Sequence, residues 1–383
     1  MRILTAGESH GECICAVLEG FPKGVKLSED FINEELKRRM SGVGRGRRMA
    51  IEEDKVEIIS GLRNKVTLGS PIAMLVKNRD RKIFSQKKDN LASLSVPRPS
   101  HADLAGAFKY QESDVRNILE RSSARETVAR VCAGAVCKQF LNNFNIRIAS
   151  FTVSVAKASS TRKPKDTAEI RSKTKSSKLN CIDREAERTM IAQIRKAECD
   201  KDSLGGIVEV WIEGLIPGVG SFMHFDKRLD ARIAYYLMSI PAIKGVENGL
   251  GFEYAKRKGT STHDAIFYTP GRGVYRKTNN CGGIEGGMSN GEVIIFRAAM
   301  KPIATLRKPL DSVNLTSGKA EKAIVERSDT SAIAACGVIA ESMAAIAVQE
   351  LFLDKFGQDT LGEIKANYQS YLKTVKQKLK RRK

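Results

Sequence analysis

The chain has 383 residues, of which 42% are hydrophobic and 28% charged. That mix excludes wholesale disorder, a collagen-like repeat and a disulfide-stapled miniprotein, and the length allows a large core. The formal net charge is +21, but residues 36–48, 157–178 and 373–383 contribute +6, +6 and +7 of it, so the chain is a near-neutral body with three basic segments rather than a uniform nucleic-acid coat.

Residues 1–5 read as a short strand running into a glycine-bounded loop, Gly7 to Gly11. Residues 28–40 predict a helix: Ser28 can cap it, acids occupy its first turn and bases its last, as the helix dipole prefers. Gly42, Gly44 and Gly46 then interleave with arginines in a loop. Strands are predicted at 56–60 and 71–76, a polar loop at 78–100, helices at 102–110 and 124–141, and a strand at 146–155. Residues 157–181 are rich in Lys, Ser and Thr without an apolar period, which predicts a mobile surface loop. An exposed helix over 184–198, a strand at 206–214, a helix over 226–240 ended by Pro241, a strand at 292–300 and a long Ala-rich helix over 331–356 complete the series. The apolar run from Ala332 to Leu353 contains Glu341, Gln349 and Glu350 and reads as a buried helix rather than a membrane span. The tail from Lys373 is expected to fray. Strands and helices intersperse without a βαβ rhythm, so the expected fold class is α+β.

The eight cysteines form no C-x-x-C pair and no Cys/His grouping has zinc spacing, so no metal is expected. The N-terminus lacks a long apolar stretch, and the simplest expectation is a cytoplasmic protein with reduced thiols. P-loop and dinucleotide-binding fingerprints are absent. Five polar constellations stand out. Gly7-Glu8-Ser9-His10-Gly11 fits the G-x-S-x-G pattern of a nucleophile elbow, here weakly, at the start of the chain. Arg98-Pro99-Ser100-His101-Ala102-Asp103 offers a second histidine, which could either exchange protons or cap the following helix. Glu120 to Thr127 places Arg121, Ser122, Ser123 and Arg125 at a helix start, where anions are favoured. The glycine-rich run from Cys281 to Gly291 lets backbone approach a flat or phosphorylated ligand. Lys301 to Thr305, with Arg327-Ser328-Asp329, suits a phosphate beside a proton acceptor, and Arg38, Arg39, Arg45, Arg47 and Arg48 alternate with glycines as an anion clamp would. Residue chemistry alone therefore gives an anion-binding small-molecule site and no reaction.

Taken together, GESHG at 7–11, the RRM and GRGRR stretch at 38–48, RPSHAD at 98–103, ERSSARET at 120–127, SLGGIVEV at 203–210, MSIPAIKGVE at 238–247, GGIEGGMSNGE at 282–292, KPI at 301–303 and ERSD at 326–329 resemble the chorismate synthase family, in the family's order. The resemblance implies a β-α-β sandwich in one large domain over 1–360, with a basic surface loop at 157–178, a basic tail at 361–383, and assembly as a homotetramer. It implies an anti-1,4-elimination of phosphate from 5-enolpyruvylshikimate 3-phosphate to give chorismate, the last shikimate-pathway step. That reaction needs reduced FMN, which lends the substrate an electron and recovers it, and the source of reduction would be either NADPH or reduced flavin supplied from outside. Carried over residue by residue, His10 would protonate the leaving phosphate with Ser9 beside it, His101 would protonate the reduced flavin, and Asp329 would take a proton at the flavin through Ser122. Arg39, Arg45, Arg48 and Arg125 would contact substrate or phosphate, the nicotinamide phosphate near Arg39 and Arg45. Arg121, Ser122, Ser123, Pro241, Ala242, Gly286, Lys301, Pro302, Ile303, Ala304, Thr305 and Arg327 would hold FMN. Ser100, Pro241 and Cys281 depart from the family pattern, and the cysteine implies sensitivity to oxidation. Two other readings stand beside this one: a nucleic-acid-binding protein, from the net charge, and a serine hydrolase using Ser9.

Overall fold

The computed structural model describes residues 1–46, 51–79, 93–271, 273–326 and 328–380. Strands β1 (Arg2–Ala6), β2 (Cys13–Glu19), β3 (Val56–Ser60) and β4 (Ile72–Lys77) form one antiparallel sheet in the order β1-β2-β4-β3. Strand β2 alternates: Ile14, Ala16 and Leu18 are buried on one face, while Cys13, Cys15 and Val17 on the other are half-buried. A second antiparallel sheet comprises β5 (Arg147–Val155), β6 (Ala158–Ser159), β7 (Gly206–Glu213), β8 (Ile243–Asn248) and β9 (Ile294–Met300), in the order β8-β9-β7-β5-β6.

Helices fill the space between. They are α1 (Glu29–Met40), α2 (Asp103–Tyr110), α3 (Arg116–Ser122), α4 (Thr127–Asn142), α5 (Thr167–Lys175), α6 (Arg184–Cys199), α7 (Leu229–Met238), α8 (Ile333–Phe356) and α9 (Leu361–Lys380). Helix α4 packs on β2 and β4, helix α8 packs on β5 and β7, and the two helices pack on each other. The order sheet, helices, sheet is the expected β-α-β sandwich, of class α+β. Helix α8 is apolar on all sides because it has neighbours on all sides. It is long and apolar enough to cross a membrane, yet 94% of its most apolar window is buried inside the protein.

Residues of like charge distribution but different packing explain two departures from the sequence reading. Within 157–181, Asp166 caps helix α5 by accepting from Glu169 N at 2.7 Å, and Thr167, Ile170 and Thr174 turn inward with the 3–4 residue spacing of a helix face. The basic residues between them hide that period, so the expected mobile loop is in part a docked helix. Ile170 joins Ala149, Phe151, Ile182 and Trp211 in a small core on the outer face of the second sheet, which is why β5 is buried on both faces. The basic tail expected from 361 begins as helix α9, whose Ile364 and Tyr368 are buried. Tyr368 meets Phe144 and Phe356 with ring centroids 5.1 and 5.5 Å apart.

A buried ionic network crosses the helix layer. Glu341 of α8 is fully buried and accepts from Arg38 Nη1 and Nη2 at 2.9 and 2.8 Å, Lys138 Nζ at 2.5 Å, and Ser150 N and Oγ at 2.9 Å. Glu35 accepts from the same Arg38 and Lys138 and from Arg171 Nη1 at 3.1 Å. Arg38 and Arg39 are neighbours on α1, but Arg38 turns into this network and Arg39 turns towards the site below.

Candidate functional site

The loop joining β1 to β2 carries Ser9 and His10, and the C-terminal end of α3 holds it. Ser9 N donates to the Glu120 carbonyl at 3.0 Å, His10 N donates to Glu120 Oε2 at 2.8 Å, and His10 Nδ1 lies 2.8 Å from Glu120 Oε1. Ser9 Oγ donates to Ser123 Oγ at 3.0 Å. Arg121 donates to the carbonyls of Gly7 and Thr5 at 3.1 and 2.7 Å. The loop turns back only because Gly7 has φ +104°, and a Cβ there would stand 2.2 Å from the Cys13 carbonyl. This is a hairpin between antiparallel strands, not the strand-to-helix turn of a nucleophile elbow, and Ser9 is 1% exposed. The serine-hydrolase reading is therefore corrected.

Arg39 and Arg125 sit beneath this loop, buried and already paired. Arg39 donates to Asp54 Oδ2 at 3.1 Å, Thr127 Oγ1 at 3.0 Å and the Ala124 carbonyl at 3.2 Å. Arg125 donates to Asn78 Oδ1 at 2.8 Å, Glu52 Oε2 at 3.3 Å and Asp54 Oδ1. Burial first, then the nearby Arg45 and Arg125 cations against the pull of Asp54, push the Arg39 guanidinium down to about 10. Asp54, Glu52 and Asn78 were not singled out from sequence, and the one hint is that the acidic pair Glu52–Glu53 and Asp54 follow the arginine-glycine loop directly.

The second histidine is held in the same way. His101 Nδ1 lies 2.6 Å from Asp103 Oδ1, and Arg98 clamps that carboxylate with Nε at 2.8 Å and Nη2 at 2.9 Å. Burial opposes ionisation of Asp103, but hydrogen bonds from His101 and Arg98 overcome it and hold the carboxyl well below the usual range. Helix α2 has Ala102 as its N-cap residue and no side-chain cap, so the capping reading of His101 is corrected. Arg98 Nη1 also donates to Thr305 Oγ1 at 2.8 Å, and Ser328 Oγ donates to the Thr305 carbonyl at 2.8 Å. Next to it, Asp329 accepts from Arg45 Nη1 at 2.7 Å and Gly46 N at 2.6 Å, which docks the 42–46 loop on this segment.

Lys301 N donates to the Ala242 carbonyl at 2.9 Å, and Lys301 Nζ donates to the Ser100 carbonyl. These bonds bring Pro241–Ala242 and Lys301–Thr305 beside His101. Burial and then the Lys244 cation push the Lys301 ammonium down, and the charge of a phosphate placed here would offset that shift. The residues present thus fit the phosphate end of a flavin nucleotide. Gly286 lies elsewhere in the chain: its hairpin, β-paired at Ile284–Glu285 and Met288–Ser289, packs at the N-terminus of α7, whereas Pro241 follows that helix's other end. Ser122 Oγ donates to the Ile118 carbonyl at 2.8 Å, and among the described residues no hydrogen bond joins it to Asp329. Arg48 and Arg327 lie outside the described residues, as does Arg47. Cys281 is not an exposed reactive thiol: burial, with Asp264 and Glu285, pushes it up to about 12. Among the described residues no group of His, Cys, Asp and Glu could hold a metal ion. A cavity of about 290 Å³ beside Phe31, Lys138, Arg147 and Arg171 touches none of these site residues.

Comparison with known proteins agrees with the family resemblance. The sequence profile of the chorismate synthase family matches residues 1–353. A chorismate synthase of Geobacter metallireducens is 48% identical over 386 aligned residues, covering 97% of this chain and 98% of the relative. One from Caldanaerobacter subterraneus subsp. tengcongensis is 47% identical, covering 98% and 99%. A crystal structure of a chorismate synthase superposes with a TM-score of 0.81 at 40% identity, over 98% of both chains. The chain belongs to the chorismate synthase family, and is an enzyme of aromatic amino-acid biosynthesis, a carbon–oxygen lyase.

Proposed function

We propose that the protein converts 5-enolpyruvylshikimate 3-phosphate to chorismate and phosphate with the help of reduced FMN. The observation that carries this reading is the pair of histidines, each with Nδ1 on a buried carboxylate, in a chain whose Arg39, Arg45 and Arg125 lie close enough for their charges to act on one another. His10, pinned by Glu120, gives a proton to the leaving phosphate, with Ser9 beside it; His101, pinned by Asp103, holds a proton for the flavin ring. Lys301 to Thr305, Pro241, Ala242, Arg121 and Ser123 hold the nucleotide, with Arg327 and Gly286 assigned by resemblance. When bound, the reduced flavin supplies an electron to the substrate and recovers it. Asp329, held beside Arg45 and Gly46, would be the proton acceptor at the flavin, while Ser122, which bonds to its own helix, would have to turn to relay that proton. Arg45 binds the substrate phosphate, with Arg48 assigned by resemblance. Arg39 and Arg125 already share Asp54 and act as the cationic floor beneath it. Reduction would come either from NADPH, its phosphate near Arg39 and Arg45, or from reduced flavin supplied from outside.

The resemblance also supports a cytoplasmic homotetramer, and Phe222, Phe225 and Phe252, which are exposed in the single chain, are apolar surface for such contacts. The proton roles are tested by chorismate formation in His10→Ala and His101→Ala. Each should lose about 10²–10⁴-fold in kcat while substrate still binds. Full activity in either variant would remove that histidine from the mechanism.

A further inference from the structure

The geometry points to a role for Glu120: we propose that it is a positioning residue that fixes the tautomer of His10, keeping the proton on Nδ1 so that Nε2 is the atom that releases and recovers a proton. The inference rests on the proton-donor role given to His10 above. Two donors of one residue, the His10 backbone N–H and the ring Nδ1, each lie 2.8 Å from a different oxygen of the same carboxylate. An ionised carboxylate only accepts. A bare Nδ1 at that distance would set two lone pairs against each other, so Nδ1 carries the hydrogen. Which ring nitrogen is protonated is set by the bond the other nitrogen makes, and here that bond is made by a side chain with 5% exposure. The third tie, Ser9 N to the Glu120 carbonyl at 3.0 Å, stops the loop from swinging the ring away. Asp103 also lies 2.6 Å from His101 Nδ1, but there Arg98 Nη2 approaches the same nitrogen at 3.1 Å and the His101 backbone N–H donates to the Arg98 carbonyl, so the two-point clamp is particular to His10.

The tautomer matters for the proton balance. When His10 acts, the Nε2–H bond breaks and an O–H bond forms on the departing phosphate. The neutral ring that remains has its proton on Nδ1, where Glu120 already accepts it, so no second proton has to move. Nε2 recovers its proton from solvent after the product leaves.

Glu120→Gln separates this role from simple anchoring of the loop. Gln has the same shape but one accepting oxygen and one donating nitrogen. If its oxygen keeps the His10 backbone N–H, its amide faces Nδ1, and the ring must move its proton to Nε2. The chain has four histidines, so ¹⁵N-histidine labelling, with His10→Gln to assign the signal, resolves the ring nitrogens at a pH where the ring is neutral. The wild type should show a protonated Nδ1 and a bare Nε2 at His10. Glu120→Gln should invert the pair and lower kcat by about 10²-fold or more, with KM for the substrate within about twofold. A wild-type spectrum with the proton on Nε2 overturns the proposal without recourse to any variant. So does a folded Glu120→Gln protein that keeps the wild-type tautomer, or that inverts it without loss of kcat. The nitrogen spectra need no turnover: a protein that makes no chorismate yet shows the inversion would retire the proposed reaction and leave the Glu120 clamp in place.

Discussion

Glu341→Gln should cost about 3–5 kcal/mol of stability, although the two side chains have the same shape. The wild-type network holds three cations, Arg38, Lys138 and Arg171, against two carboxylates, Glu35 and Glu341. Neutralising Glu341 leaves three cations around one carboxylate, with Lys138 only 4% exposed. At an effective dielectric near 20, a contact at about 4 Å is worth about 4 kcal/mol, and removing one member of a buried pair typically costs about 3–5 kcal/mol because the other charge is stranded. Against a total of roughly 5–15 kcal/mol, that is a third or more of the stability. The assay is urea unfolding at fixed protein concentration, followed by the fluorescence of Trp211, the single tryptophan, which lies on β7. The midpoint should fall with the slope unchanged. Glu350→Gln is the control: Glu350 pairs with Arg232 at 2.7 Å, but both side chains are about one-quarter exposed, so it should cost about 1 kcal/mol or less. Equal midpoints for Glu341→Gln and wild type would refute the argument that these buried charges depend on one another.

Three further outcomes are expected. Gly134→Ala should destabilise by about 1–3 kcal/mol or more in the same unfolding assay, because a Cβ on α4 would stand 2.3 Å from Ser342 Cβ on α8; an unchanged midpoint would show that the two helices can separate at no cost. Burial opposes ionisation of Glu35, but Lys138, Arg38 and Arg171 hold it down to about 2 from 4.5, so its stabilisation is complete above about 4.5 and is lost as pH falls towards 2. The melting temperature should drop across that window, and more shallowly in Glu35→Gln; parallel curves would contradict the assignment. A fluorophosphonate should leave Ser9 unlabelled in the folded protein, since the side chain is buried against Ser123, and stoichiometric labelling would reopen the hydrolase reading.

Much of the fold was legible because local signals and tertiary packing agree. Ser28 is an N-cap by sequence and accepts from Phe31 N in the structure. The alternation in β2 and the uniform apolarity of α8 read directly as one buried face and as full burial. Helix α5 was lost because its three inward residues, Thr167, Ile170 and Thr174, include only one strong hydrophobe among many lysines. The site divides along the same line. His10, His101, Arg121, Arg125 and Lys301 stand in short distinctive strings, and the structure ties Arg121 to the His10 loop and Lys301 to the His101 segment. His101 finds its carboxylate two residues on, at Asp103, but other partners come from far along the chain: Glu120 is 110 residues from His10, and Asp54 is 71 from Arg125. A carboxylate that pairs through space leaves no spacing to read. The same is true of Glu341, whose three cations come from α1, α4 and α5.

The central claim is tested most directly by anaerobic incubation of the purified full chain with 5-enolpyruvylshikimate 3-phosphate, with and without chemically reduced FMN, while chorismate and phosphate are followed together. The account predicts both products in equal amounts, and only when the reduced flavin is present. Chorismate formed equally well without flavin, or no chorismate from a folded protein that has bound reduced FMN, would contradict it.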